Sequence, residues 1–197
     1  MSVTSQIVLD DSGQLRLLES GLWFGPFRKE CVFLLETHSR DRRLYPKEES
    51  PRMAEFAWLD LAGSRPKVWI VEAKSSVARL ENTKDFEQNL EEWAGKLANA
   101  LIIIAGIKAG AFPSAADLSE VPAYINDNDM RDLSFYLVVV LTADWATEET
   151  CQQLQISLRP YLSESIRAWG LPKDSVYVFN RELAQRRKLT TGELQSS

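Results

Sequence analysis

Histidine is almost absent from this chain: His38 is the only one in 197 residues. Zinc sites built from two or three histidines are therefore excluded within one chain, and a Ser–His–Asp triad would have to use His38. Cysteine is nearly as scarce. Cys31 and Cys151 form no CxxC or Cys/His cluster, which excludes a disulfide scaffold and reads as two reduced core thiols of a cytoplasmic protein. Long apolar runs are missing as well. The most apolar stretches, 101–107 and 135–141, fall far short of the roughly 20 residues that cross a bilayer. The opening MSVTSQIVLDD carries no basic region followed by an apolar run, so neither a secretory leader nor a membrane partner is expected. A basic excess is lacking too: 23 Lys and Arg stand against 28 Asp and Glu, a net charge of -5. That balance counts against a coat-like nucleic-acid binder but leaves room for a local basic patch.

What is present is a globular composition, 45% hydrophobic and 26% charged, with no repeat or low-complexity segment, which excludes wholesale disorder. The length suits one domain over 1–197 that buries about 70% of its unfolded surface without a metal or disulfide. Within it, 1–25 reads as an N-terminal hairpin extension and 189–197 as a frayed tail. The hairpin is carried by Gln6-Ile7-Val8-Leu9, a turn at Asp10-Asp11-Ser12-Gly13 and a second run over 14–18. Pro26 suits the first turn of a helix reaching His38, with Phe27, Cys31, Leu34, Leu35 and His38 on one face. Residues 39–52 form a charged loop. Strands follow over 53–62 and 67–74, joined by Gly63-Ser64-Arg65-Pro66. The second contains Val68-Trp69-Ile70-Val71, apolar on both faces and so central in a sheet.

A long helix is expected over 82–110 from the stripe Phe86, Leu90, Trp93, Leu97, Leu101 and Ile104. The β-branched run Ile102-Ile103-Ile104 leaves a strand open for its C-terminal half. Further elements are a buried strand over 133–142, a helix over 147–169 broken or kinked before Pro160, a strand over 175–179 and a short basic helix over 181–188. Strands alternating with helices predict an α/β fold, a mixed central sheet flanked by helices.

The chemistry concentrates in the two motif strands. Glu72 and Lys74 share a face because strand side chains alternate, and a carboxylate and an ammonium ending so apolar a strand need partners or a cleft. Asp60 precedes Glu72 by eleven intervening residues, and a short connection is expected to bring it opposite the pair. Two crowded carboxylates suit a hard divalent cation, Mg²⁺ or Mn²⁺. Lys74 beside them would orient a water or stabilise charge on a phosphate.

Asp60-x(11)-Glu72-x-Lys74 on adjacent strands, between a helix and a long helix plus strand, resembles the PD-(D/E)xK nuclease superfamily over about residues 26–142. The resemblance implies a restriction endonuclease-like core and metal-dependent hydrolysis of DNA. Asp60, Glu72 and the carbonyl of Ala73 would hold Mg²⁺ (or Mn²⁺), and Lys74 would position the water. Many members add an acidic residue from the upstream helix. Glu30, at the margin of the apolar face of 26–38, is the preferred candidate, with Glu36 and Glu19 as alternatives. Restriction-type members often pair, so a homodimer or a protein partner is a further implication.

Arg40, Arg42, Arg43 and Lys47, with Arg52 after them, form a weak nucleic-acid-binding candidate in the charged loop, since such side chains supply sequence-independent affinity for phosphate. Gln88, on the helix after the motif, has a counterpart at the site in some nuclease branches, whereas Glu92 and Lys96 read as a solvent-facing i,i+4 pair. The competing expectation is an interaction or scaffold protein in which Glu72 and Lys74 are an ordinary surface pair.

Overall fold

The computed structural model describes residues 6–39, 51–78, 83–111, 121–127 and 129–191. Eight strands and five α-helices follow in order: β1 (Gln6–Leu9), β2 (Gln14–Glu19), β3 (Leu22–Arg28), β4 (Val32–Phe33), α1 (Leu35–Ser39), β5 (Phe56–Asp60), β6 (Lys67–Lys74), α2 (Thr83–Lys108), α3 (Ala123–Asp127), β7 (Ser134–Leu141), α4 (Glu148–Ala168), β8 (Val176–Phe179) and α5 (Arg181–Arg186). The chain is an α/β fold with a five-stranded mixed sheet in the order β4-β5-β6-β7-β8. β4, β5 and β6 run antiparallel to one another, while β6, β7 and β8 run parallel. A second, three-stranded antiparallel sheet is made of β1, β2 and β3. Among the described residues no helix is long and apolar enough to cross a membrane.

Alternation in the central strands divides the core between two faces. Val68 and Ile70 of β6 and Leu137 and Val139 of β7 pack under the helices with Trp93, Leu97, Leu101, Leu154 and Leu158. Trp69 and Val71, with Val138 and Val140, pack on the other face against Leu15, Leu17, Leu22, Phe24 and Phe27 of the three-stranded sheet. A strand covered on both sides has no polar side, which is why β6 and β7 are apolar throughout their middles. The β-branched run of α2 is helical: Ile103 and Ile104 are buried and Ile102 faces outward.

Three expectations are corrected. No helix spans 26–38. Leu22–Arg28 is a strand, followed by a 3₁₀ turn, β4 and the five-residue α1. Leu22, Phe24 and Phe27 all reach the core because the ladder to β2 shifts register between Leu15 and Leu17. The N-terminal extension is accordingly a sheet ending at Arg28, and Gly25–Pro26 inside it is a cis peptide. Second, α4 runs unbroken through Pro160, because Cys151, Leu154, Leu158, Leu162 and Ile166 bury one continuous stripe on both sides of it. Third, residues 189–191 of the expected tail belong to the fold, while 192–197 lie outside the described residues. Leu189 is fully buried, its carbonyl accepts from Gly25 N–H at 2.9 Å, and Thr190 bridges Phe24.

Candidate active site

The C-terminal ends of β6, β7 and β8 lie along one edge of the central sheet, with Lys74 level with Leu141, and Val140 with Phe179. The antiparallel β5 contributes its beginning to that edge. Glu55 directly precedes β5, and its N–H donates to the Val71 carbonyl at 3.0 Å, which holds it on the ladder beside Glu72. β4 also ends there, so α1 starts at the same edge, and Glu36 N–H donates to the Glu55 carbonyl at 3.3 Å.

Glu72 is the centre of this edge. Its side chain is 0% exposed, yet it carries a carboxylate among apolar neighbours. Burial of such a group is tolerated only with strong partners, and two lysines supply them. Lys96 Nζ, from α2, donates to Glu72 Oε1 at 2.7 Å, and Lys74 Nζ reaches the same oxygen at 2.8 Å. The side chains of Lys96 and Lys74 are largely enclosed, at 14% and 21% exposure, and both amines approach Glu92, at 3.9 Å and 3.4 Å. Glu72 Oε2 is buried and has no hydrogen-bond partner among the described residues.

The electrostatics follow from five carboxyls gathered around two ammoniums. Burial pushes the Glu55 carboxyl up to about 9, helped by repulsion from Glu72, Glu19 and Glu36 and opposed by Lys96. Burial works against the charge on Lys74, but Glu72 and Glu92 outweigh it and hold its ammonium above the ordinary lysine value. Lys74 is therefore a cation at neutral pH, able to donate hydrogen bonds but not to accept a proton.

Of the residues expected at the site, Glu72 and Lys74 are brought together as an ion pair. Asp60 does not join them. It is level with Lys67, at the far end of β6. Five residues of strand at about 3.3 Å each put it about 17 Å from the level of Glu72. It also alternates in step with Phe56, on the face opposite Glu72, and its Oδ1 accepts from Ala62 N–H at 2.9 Å at the turn. Glu30 is likewise displaced: it sits on the 3₁₀ turn, exposed and paired with Arg28. The two alternatives, Glu36 and Glu19, are the ones electrostatically linked to Glu55. The Ala73 carbonyl accepts from Ser20 Oγ at 2.9 Å, and Thr142 Oγ1 donates to the Ser20 carbonyl at 2.5 Å, so the three-stranded sheet is tied to this edge. Arg40, Arg42, Arg43 and Lys47 lie outside the described residues.

Sequence reasoning missed Glu55 and Lys96. Glu55 could have been found by counting: with Gly63–Pro66 as the connection, the hairpin that sets Asp60 level with Lys67 sets position 55 level with Glu72. Lys96 lies beside Trp93 and Leu97 of the buried stripe, a margin position from which a four-carbon stem can turn inward. Two adjoining clefts of about 340 Å³ each open beside it, one lined by Glu36, Arg52, Met53 and Glu92, the other by Arg52, Gln88, Glu91 and Asn99.

Among the described residues no three His, Cys, Asp or Glu side chains stand ready as a metal cage. Mg²⁺ does not require one, since it keeps several waters and is held by one or two carboxylates with substrate phosphate completing its shell. The two carboxyls that an ion of this kind would have to use are Glu72, whose Oε2 has no partner among the described residues, and Glu55 beside it on the ladder. Compared with protein families, with curated proteins and with solved structures, the chain gives no match.

Proposed function

We propose that the chain is a metal-dependent nuclease that hydrolyses DNA, with a restriction endonuclease-like core and a PD-(D/E)xK-type site in which Glu55 takes the place expected of Asp60. The observation that carries this reading is the buried Glu72, level with Glu55 on the ladder, with one oxygen bonded to two lysines and the other without a partner among the described residues. A carboxylate stripped of water is costly as architecture alone and useful as a cation ligand, and Lys96, which bonds it, lines the two neighbouring clefts. Glu55 and Glu72 would hold Mg²⁺ or Mn²⁺, with the Ala73 carbonyl available through its second lone pair. A divalent cation bound there supplies charge stabilisation to a phosphodiester under attack. Lys74, kept protonated by Glu72 and Glu92, orients the attacking water and steadies the phosphate oxygens by hydrogen bonding. Arg52, exposed on the rim shared by both clefts, is placed to contact a neighbouring phosphate. The buried free thiols Cys31 and Cys151 suit a reducing compartment, the cytoplasm.

The test is Mg²⁺-dependent cleavage of single-stranded, duplex and branched DNA by the wild type and by Glu55→Ala, Glu72→Ala, Lys74→Ala and Asp60→Ala. Loss of an electrostatic or ligating group costs about 10²-fold or more in rate, so the first three variants lose activity while Asp60→Ala retains it. Wild-type inactivity on all three DNAs would leave the same edge as the scaffold of an interaction protein, its carboxylate neutralised by lysines. Activity that survives in Glu55→Ala and fails in Asp60→Ala would restore the original pairing.

A further inference from the structure

Lys96 is not part of the strand motif, yet its amine is the closest group to Glu72, at 2.7 Å. Its charge is also felt at Glu55, the neighbour of Glu72 on the ladder. It comes from α2, across from the strand that carries Glu72, and is the more enclosed of the two lysines. Lys74 differs: it shares a strand with its acid and has a second carboxylate, Glu92, at 3.4 Å, against 3.9 Å for Lys96. Lys96 also lines both clefts together with Arg52, so its flexible stem has open space to move into when it leaves Glu72.

We propose that Lys96 is a built-in surrogate for the divalent cation, neutralising Glu72 in the metal-free protein and being displaced toward the Arg52 cleft when the ion binds. The proposal rests on the reading of Glu55 and Glu72 as ligands. It makes Lys96 a positioning residue whose presence weakens ion affinity, the reverse of what a supporting residue does. A protein lysine that must be moved taxes binding, and a like charge within a few ångströms repels the ion.

The experiment is calorimetric titration of the folded, metal-free protein with Mn²⁺ alone, comparing the wild type with Lys96→Met, Lys96→Gln, Lys96→Arg and Glu72→Gln. Circular dichroism verifies that each variant is folded, and the Gln variant stands in should Met disturb packing. Removing a full charge at this range is expected to tighten Mn²⁺ binding by about tenfold or more. Lys96→Arg keeps the wild-type affinity, and Glu72→Gln abolishes binding. Wild-type binding lost in Glu72→Gln but unchanged or weaker in both neutral Lys96 variants overturns this inference and leaves the nuclease reading standing. Binding that appears only once Lys96 is neutralised supports it, while absence of binding in every variant removes the inference and the ligand pair together.

Discussion

At the scale of the residue, the site turns on which acid stands beside Glu72. The motif spacing in the sequence favoured Asp60, and the ladder places it with Lys67, on the other face and at the other end of β6. Glu72 and Lys74 were legible because alternation along one strand is local. Their partners Glu55 and Lys96 were not, since they depend on hairpin register and on the rotation of α2 against the sheet. The state of Glu55 gives a direct check on this crowding. A carboxyl raised to about 9 binds its proton more tightly folded than unfolded. Its stabilising effect is therefore complete below the ordinary carboxylate range and is lost as pH rises from there through the folded value. Glu55→Gln mimics the protonated form permanently. In chelator-treated protein its melting temperature should exceed that of the wild type at about pH 9 and converge with it near about pH 5. Thermal melts followed by circular dichroism across that range decide the point; a constant offset between the two proteins would mean that Glu55 ionises normally.

At the scale of the element, strong periodicity was readable and mixed periodicity was not. The hairpin, β6, α2 and β7 appear close to where the pattern puts them, because strands of period two and a long stripe of period 3.6 leave no alternative. The segment 22–39 misleads because Phe27, Cys31, Leu34 and His38 have helical spacing, while the register shift opposite Leu15 and Leu17 lets Phe24 and Phe27 both point inward from a strand. Gly25 makes that strand possible. Its φ is +95°, and a Cβ there would stand 2.6 Å from the Leu15 carbonyl oxygen, a backbone atom that cannot step aside. Gly13, in the β1–β2 turn at φ +77°, has open space around it. Gly25→Ala should therefore lower the unfolding free energy by well over about 1 kcal/mol, against about 1 kcal/mol for Gly13→Ala. Urea titration of both variants measures the difference, and equal losses would show that strain in φ, not the contact with β2, sets the cost.

At the scale of the whole molecule, the central sheet is the shared floor of two cores, and the chemical edge depends on both. The helical side supplies Lys96 and Glu92, while the three-stranded sheet supplies Ser20, whose hydroxyl and carbonyl tie Ala73 and Thr142 together. Apolar contacts make that tie part of the fold. Leu17 is 1% exposed and packs with Phe24, Phe56, Val71 and Val140, linking the outer sheet to both motif strands. A layer joined this way cannot detach without exposing Trp69 and Val71, so the two sheets should unfold together. Leu17→Ala, a truncation in a filled core, should cost about 2–5 kcal/mol. It should lower the urea midpoint with an unchanged slope, tryptophan fluorescence and far-ultraviolet circular dichroism moving as one transition. Two separated transitions, only the first shifted by the substitution, would make the N-terminal sheet an independent appendage. Ser20 would then no longer brace the Ala73 carbonyl once the sheet had melted, and the edge that carries Glu72 and Lys74 would lose that support before global unfolding.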